Sequence, residues 1–260
     1  MIGSSVGRFL MSLRKILLLG GTADAKAMAT RLHFAGLQVI YSIAGLVRQP
    51  DLPCQVISGG FRQYGGLSAY LKRESISEVL DVTHPYAANM SRQASESVTE
   101  LGIAYCRFTR PAWVKQEGDQ WHQFETWPEL INALEDKKSV MLTAGQIDQK
   151  DIDLFGRFKG QKQYLRTAIT PLSELPSSMS WIKGIGPFSK EREKAQFIKY
   201  GIDALVTKNS GGEATFAKID VAREHGVPVF FLKRPELPSI QYEFSDLDKC
   251  FQFILSNKKD

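Results

Sequence analysis

Short apolar segments alternate with amphipathic segments along the first half of the chain. The apolar segments predict strands, and they lie at Lys15–Leu19, Val39–Ile43, Gln55–Ser58, Val79–Val82 and Ile103–Phe108. In the helix predicted between the first two strands, Ala25, Met28, Ala29 and Leu32 follow helical spacing, so one face packs on a sheet. Strict succession of strand and helix indicates a parallel sheet with right-handed crossovers.

The second half repeats this alternation after a polar, turn-rich segment. Its predicted strands lie at Trp121–Phe124, Ser139–Thr143, Gln163–Ile169, Trp181–Ile185, Ala204–Thr207 and Val227–Leu232, and a helix near Leu247–Ser256 closes the chain. We therefore predict an α/β protein with two Rossmann-like domains, each a mainly parallel sheet flanked by helices, with a cleft between them. The expected domains are residues 14–113 and 114–260, preceded by a disordered extension at 1–13.

Composition narrows the possible partners. Of 260 residues, 43% are hydrophobic and 23% charged, and no apolar run approaches the ~20 residues of a membrane-spanning helix. The three cysteines are far apart in the sequence, which indicates neither disulfides nor a metal site and favours a reducing cytoplasm. The net charge of +5 favours an acidic partner, but the basic residues are dispersed and no nucleic-acid motif occurs. A small polyanionic ligand fits best.

The run Thr207-Lys-Asn-Ser-Gly-Gly-Glu-Ala-Thr215 joins an apolar strand to a predicted helix near Gly212. Such a turn favours anion binding, because unpaired backbone N–H groups and the helix dipole attract negative charge and glycines permit close approach. Side chains add a cation and several donors, and the candidate residues are Thr207, Lys208, Asn209, Ser210, Gly211, Gly212 and Thr215. The alternative is an ordinary turn with a helix cap.

Other strand ends carry further candidates. Gly20, Gly21 and Thr22 follow the first strand, where a dinucleotide fold has its glycine motif, although a full G-x-G-x-x-G is absent. No acidic residue ends the second strand, and Arg48 follows it. An arginine at this point can bind a 2′-phosphate and so select NADPH. The alternative is a solvated loop arginine.

A glycine-lined rim that includes Gly60 follows the third strand, with flexible loop filler as the alternative. Asp81-Val-Thr-His-Pro-Tyr-Ala87 presents His84 and Tyr86, which can move protons, at the end of the fourth strand. A hydrogen-bonded loop histidine is the alternative. The sequence contains no Ser/His/Asp triad, HExxH, CxxC or P-loop motif, which argues against hydrolase, metalloenzyme and kinase functions.

Several of these segments together resemble a known family. The motifs LLLGGTADA, SGGFRQYGGL, DVTHPYA, TRPAW, VMLTAG, GIGPF and LVTKNSGGEATFAKIDVAREHGVPVFFLKRP run in order from about residue 15 to residue 235. In this order they are similar to the precorrin-6A reductase family of cobalamin biosynthesis. Ile185 stands where the family pattern often has arginine, so no role is carried to that position.

The resemblance implies a two-domain α/β enzyme that uses NADPH to reduce one double bond of the precorrin-6A macrocycle, or of its cobalt form, giving precorrin-6B. We assign cofactor contacts to Gly20, Gly21, Thr22, Arg48 and residues 207–212, with no metal, and leave open which of the two loops holds the pyrophosphate. His84 and Tyr86 would face the reacting ring, and Gly60, Arg110 and Thr215 would contact the substrate. Arg110 and Arg48 are each candidates for a carboxylate or the 2′-phosphate.

The sequence is also compatible with two other functions. One is a nucleotide-sugar transferase of the two-Rossmann type, although the chain is short for it. The other is a non-catalytic sensor of a dinucleotide or anionic metabolite. We expect a monomer or weak homo-oligomer, and the sequence does not decide between the metal-free and cobalt substrates.

Overall fold

The computed structural model describes residues 14–44 and 50–256, which form two compact units. Unit 1 combines the described residues up to Thr109 with those from Glu236 onward, and unit 2 spans Arg110–Pro235. The predicted extension at 1–13 lies outside the described residues.

The elements are numbered in chain order. The strands are β1 Lys15–Leu19, β2 Gln38–Ile43, β3 Gln55–Ser58, β4 Glu78–Asp81, β5 Ala104–Phe108, β6 Trp121–Phe124, β7 Ser139–Leu142, β8 Lys162–Thr167, β9 Met179–Lys183, β10 Ala204–Lys208, β11 Val229–Leu232 and β12 Glu243–Phe244. The α-helices are α1 Ala23–Phe34, α2 Leu67–Arg73, α3 Ala88–Leu101, α4 Trp127–Asn132, α5 Gln149–Phe155, α6 Lys190–Tyr200, α7 Ala217–Glu224 and α8 Leu247–Ser256. Short 3₁₀ helices cover Arg62–Tyr64 and Glu213–Thr215.

Both sheets are fully parallel, have six strands each, and share the order of five consecutive strands. Unit 1 has the order β3-β2-β1-β4-β5-β12, and unit 2 has the order β9-β8-β7-β10-β11-β6. Unit 1 therefore has the 3-2-1-4-5-6 order of a dinucleotide-binding Rossmann fold. Unit 2, counted along its own chain, has the order 4-3-2-5-6-1, because its first strand β6 takes the edge position of the sixth strand. In both sheets the switch point lies between the two central strands. The predicted α/β class with two parallel, Rossmann-like sheets is therefore confirmed.

Helices cover both faces of each sheet, which explains the continuous apolar strands. In β1, Ile16 and Leu18 face one core of unit 1, while Leu17 and Leu19 face the other, and all four are buried. The predicted apolar stripe of α1 is also buried. Within the described residues, no helix is both long enough and apolar enough to cross a membrane.

The end of the chain differs from the predicted domain assignment. Residues from Glu236 onward were expected in the second domain but belong to unit 1, where β12 pairs with β5. Arg107 of β5 donates to both carboxylate oxygens of Glu243, at 3.1 and 2.9 Å, and helix α8 buries Cys250 and Ile254 in the core that also contains α1. A two-residue strand is too short to show periodicity, so the sequence pattern did not reveal which sheet this segment completes.

Truncation of Ile254 should reveal how strongly α8 stabilises unit 1. Ile254 is completely buried, so Ile254→Ala should lower the free energy of unfolding by about 2–4 kcal/mol, because it leaves a cavity. Ile198→Ala is the matched control, since Ile198 is 63% exposed, and it should change stability by less than about 0.5 kcal/mol. Urea unfolding measures both; equal losses would show that α8 does not contribute to this core.

Candidate functional site

A pocket of about 140 Å³ lies at the carboxyl ends of the strands in unit 1. It includes the switch point between β1 and β4, where Rossmann folds bind nucleotides. Four of the residues predicted from different strand ends line it together: Gly20, Gly21, Gly60 and His84. The rest of the lining is mainly apolar and consists of Leu19, Ser42, Ala44, Phe61, Thr83, Ala87 and Met90. The fold thus brings together loops that are more than sixty residues apart in sequence.

The loop after β1 is shaped by Tyr41 of the neighbouring strand. The Gly20 amide donates to the Ser42 carbonyl at 2.8 Å, and the Gly21 amide donates to the Tyr41 hydroxyl at 2.8 Å. A Cβ atom at Gly20 would lie 2.3 Å from the Tyr41 ring, so this position requires glycine. Burial raises the pKa of Tyr41, and the Gly21 bond opposes that rise. Both amides already donate to acceptors within the protein, so these glycines provide space for a ligand and not hydrogen bonds to it.

Thr22 has a structural role in the same loop. Its hydroxyl accepts from the Ala25 amide at 3.0 Å, which caps α1, and donates to the Val82 carbonyl at 3.0 Å. The side chain therefore joins the end of β1 to the segment after β4. Its expected contact with a cofactor stays a prediction.

Asp81 organises the loop that carries His84 and Tyr86. Its buried carboxylate accepts from the Thr83 amide at 3.0 Å, from the Ser91 hydroxyl at 2.6 Å and from the Tyr105 hydroxyl at 3.0 Å. Burial, with this carboxylate beside it, raises the pKa of Tyr105 well above its usual range. Asp81 is not among the predicted site residues, although an acidic residue at the end of a buried strand is a signal for such a role.

The loop itself holds His84 in one orientation. The His84 Nδ1 atom accepts from the Tyr86 amide at 3.3 Å, and the two rings lie 5.6 Å apart. A neutral imidazole with Nδ1 as acceptor carries its proton on Nε2. His84 lines the pocket, whereas Tyr86 packs beside it. Arg48, the predicted 2′-phosphate ligand, lies outside the described residues.

In unit 2, the side chain of Asn209 clamps the backbone of Trp113. Its Oδ1 accepts from the Trp113 amide at 2.7 Å, and its Nδ2 donates to the Trp113 carbonyl at 3.1 Å. Arg234 donates to the carbonyls of Asn209 and Arg110, each at 2.8 Å. The turn after β10 is thereby joined to the segment 110–113. Arg234 was not among the predicted residues, because nothing local in the sequence marks its partners.

These contacts account for the two glycines of the turn. Gly211 has a φ of +72°, and a Cβ atom there would lie 1.8 Å from the Pro111 carbonyl oxygen. A Cβ atom at Gly212 would lie 2.2 Å from a guanidinium nitrogen of Arg110. The sequence predicts that the glycines give room to an anion, whereas in this structure they give room to the segment 110–111. Their predicted contact with a cofactor remains untested.

The hydroxyl groups of the turn also bond within the chain. Ser210 Oγ lies 3.2 Å from Thr215 Oγ1, which lies 3.3 Å from the Gly212 carbonyl. A 3₁₀ helix begins at Glu213 and α7 begins only at Ala217, later than expected. Thr207 Oγ1 is buried and has no hydrogen-bond partner within the described residues.

Lys208 provides the positive charge at the switch point of unit 2. It ends β10, which pairs with β7, and Asp148 at the start of α5 follows β7. Burial lowers the pKa of Lys208, while the charge of Asp148 opposes that shift. A partly desolvated cation at the carboxyl end of the central strands is suited to bind a carboxylate or phosphate.

Rossmann strand order together with a glycine-lined pocket at the switch point is typical of dinucleotide-dependent oxidoreductases. Comparison with known proteins defines the family. Residues 15–255 match the family described as Precorrin-6x reductase CbiJ/CobK. The chain belongs to this family, which confirms the resemblance found in its motifs and makes it a reductase that needs a nicotinamide cofactor.

Relatives match over nearly their whole length. A precorrin-6A reductase of Rhodococcus erythropolis is 34% identical over 92% of this chain and 97% of its own. A cobalt-precorrin-6A reductase of Priestia megaterium is 26% identical over 85% and 91%. The solved structure of CobK precorrin-6A reductase superposes with a TM-score of 0.85 and 31% identity, covering 94% of this chain and 97% of that one.

The two glycines of the turn should respond differently to alanine. Gly211→Ala should destabilise the protein by at least about 2 kcal/mol, since it combines a positive φ with a clash against backbone. Gly212→Ala meets only the far end of the long Arg110 side chain, so it should cost less than about 1 kcal/mol while displacing the guanidinium group. Urea unfolding compares the variants; equal costs would contradict this account of the turn.

Lys218 should make stability depend on pH. It is almost fully buried in unit 2, and burial lowers its pKa from 10.5 to about 7. Between those values the unfolded chain holds one more proton, so stability rises with pH by up to about 1.4 kcal/mol per unit. The stability of Lys218→Met relative to wild type should therefore fall from pH 7 to pH 9. Urea unfolding at both pH values tests this; exposed Lys194→Met, the control, should show a constant difference.

Proposed function

We propose that this protein reduces precorrin-6A to precorrin-6B with NADPH as a step of cobalamin biosynthesis. The observation that carries the proposal is the switch-point pocket of unit 1, formed by Gly20, Gly21, Gly60 and His84, in a chain of the precorrin-6x reductase family. The greater identity to a precorrin-6A reductase than to a cobalt-precorrin-6A reductase supports the metal-free substrate.

The cofactor is assigned to the pocket of unit 1. Gly20 and Gly60 leave its rim without side chains, and α1 directs its N-terminus toward the end of β1, where helix polarity favours phosphate. Bound NADPH supplies a hydride. Arg48 is the candidate for the 2′-phosphate that distinguishes NADPH from NADH, and His84 is placed to contact the nicotinamide or the ring that it reduces.

The substrate is assigned to cationic groups, because precorrin-6A carries many carboxylates. Arg110 and Lys208 are the candidates to bind them, and Gly60 and Thr215 are candidate contacts. Addition of hydride to one carbon of a conjugated bond leaves a neighbouring position to be protonated, and solvent can supply that proton. His84 and Tyr86 would then orient the ring.

The proposal includes a cytoplasmic location and a monomer or weak homo-oligomer without a nucleic-acid partner. None of the three cysteines is in a disulfide, which suits a reducing compartment.

A turnover assay tests the proposed activity. The purified protein, mixed anaerobically with precorrin-6A and NADPH, should oxidise the cofactor and release precorrin-6B, faster than with NADH. Lys208→Ala should raise the KM of the substrate or of NADPH about tenfold or more, since a charged contact is lost. Lys194→Ala, an exposed change on α6, is the control. Absence of cofactor oxidation with both the metal-free and cobalt substrates would reject the activity.

A further inference from the structure

A layer of polar side chains lies between the sheet of unit 2 and helices α6 and α7. Leu205 faces this side of the sheet, so Thr207, two residues later on the same strand, faces it as well. Tyr164 and Arg166 of β8 are related in the same way. The layer therefore lies toward the carboxyl end of the strands, next to the turn at residues 208–212.

One ion pair in this layer is complete in itself. Arg166 donates from its two terminal nitrogens to the two carboxylate oxygens of Glu193, each at 2.8 Å, and also to Gln196 Oε1 at 2.8 Å. Both residues are nearly fully buried. In a bidentate pair of this kind the two charges neutralise each other. The neighbouring charge of Lys218 must therefore be stabilised by another contact.

Lys218 is 5% exposed and lies in the first turn of α7. Its ammonium nitrogen lies 5.6 Å from the centre of the Trp113 ring, within the range of a cation–π contact. No hydrogen bond of this nitrogen is found among the described residues. Because burial of a lysine is costly, its retention here calls for a favourable partner, and the Trp113 ring is the one that the geometry provides.

Trp113 is in turn the centre of the contacts that hold the segment 110–113. Its ring packs against Phe216 at 5.6 Å and Phe231 at 6.4 Å, and its Nε1 is buried without a hydrogen-bond partner in the described part of the chain. Its backbone is clamped by Asn209 on both sides of the residue. A shift of the ring would therefore act on the turn and on Arg110.

We propose that Lys218 is a positioning residue, whose ammonium group holds the Trp113 ring and thereby fixes Arg110 against the turn at residues 208–212. Lys218 itself touches neither substrate nor cofactor in this proposal. Its effect on catalysis rests on the proposed function, in which Arg110 binds a substrate carboxylate.

The charge of Lys218 then sets the strength of the contact. With a pKa of about 7, lowered by burial and by Arg166 and opposed by Glu193, the ammonium form prevails below neutral pH and is lost above it. Trp113, Phe216 and Phe231, the aromatic residues of this cluster, have no titratable group. The hold on Trp113 should therefore weaken as the pH rises through neutrality.

Tryptophan fluorescence tests the contact without any turnover. The emission of wild-type protein minus that of Trp113→Phe isolates Trp113, and it should titrate with a midpoint near pH 7. The same difference, measured in Lys218→Met protein with and without Trp113→Phe, should be flat. A flat wild-type difference, or a transition that persists in Lys218→Met, would overturn the proposal.

Kinetics then test the effect on the site. Lys218→Met should raise the KM of the tetrapyrrole about 2- to 30-fold at pH 6.5, with kcat nearly unchanged. In wild-type protein the KM should rise with pH, as the contact with Trp113 weakens. Lys218→Arg, which keeps a cation, should restore the KM at least partly and should abolish this rise. An unchanged KM in Lys218→Met, or a loss confined to kcat, would contradict positioning through Arg110.

The fluorescence titration and the turnover assay test the positioning role and the proposed function separately. If wild-type protein does not oxidise NADPH with either substrate form, the proposed function fails, and the fluorescence titration still decides whether Lys218 holds Trp113. If turnover occurs but the titration is absent, the positioning role fails while the proposed function stands.

Discussion

The clamp between the Asn209 side chain and the backbone of Trp113 is the interaction on which the site of unit 2 depends. One amide side chain satisfies both the N–H and the C=O of a single residue, at 2.7 and 3.1 Å, across 96 positions of sequence. Because both the oxygen and the nitrogen of the asparagine amide bond to Trp113, the segment 110–113 is held in one position against the turn. This position brings Pro111 against Gly211 and Arg110 against Gly212.

A comparable arrangement shapes the pocket of unit 1, with a different partner. There the Tyr41 hydroxyl receives the Gly21 amide, and its ring occupies the space where a side chain at Gly20 would lie. In both units, then, glycines at strand ends are required by contacts within the protein. This matters for function, because such glycines supply shape to a binding site even when their amides are already bonded.

Buried charged groups have different kinds of partner in the two units. In unit 1, Asp81 is surrounded by three hydrogen-bond donors and serves as the anchor of the loop that carries His84. In unit 2, Arg166 and Glu193 neutralise each other, while Lys218 lies against an aromatic ring. The contact of Lys218 changes near neutrality, because burial lowers the pKa of its ammonium group to about 7.

The sequence by itself determined the parallel α/β class, nearly all the strands and helices, and the strand ends at which the candidate site residues lie. It could do so because apolar periodicity reports which face of each element is buried, and because parallel strands place their carboxyl ends at one edge. Only the tertiary structure decided that β12 and α8 complete unit 1, that Asn209 binds Trp113, and that Lys218 lies over its ring. These contacts join residues that are about a hundred positions or more apart in the sequence. Their specificity comes from shape and hydrogen-bond geometry, which no local pattern of apolar and polar residues encodes.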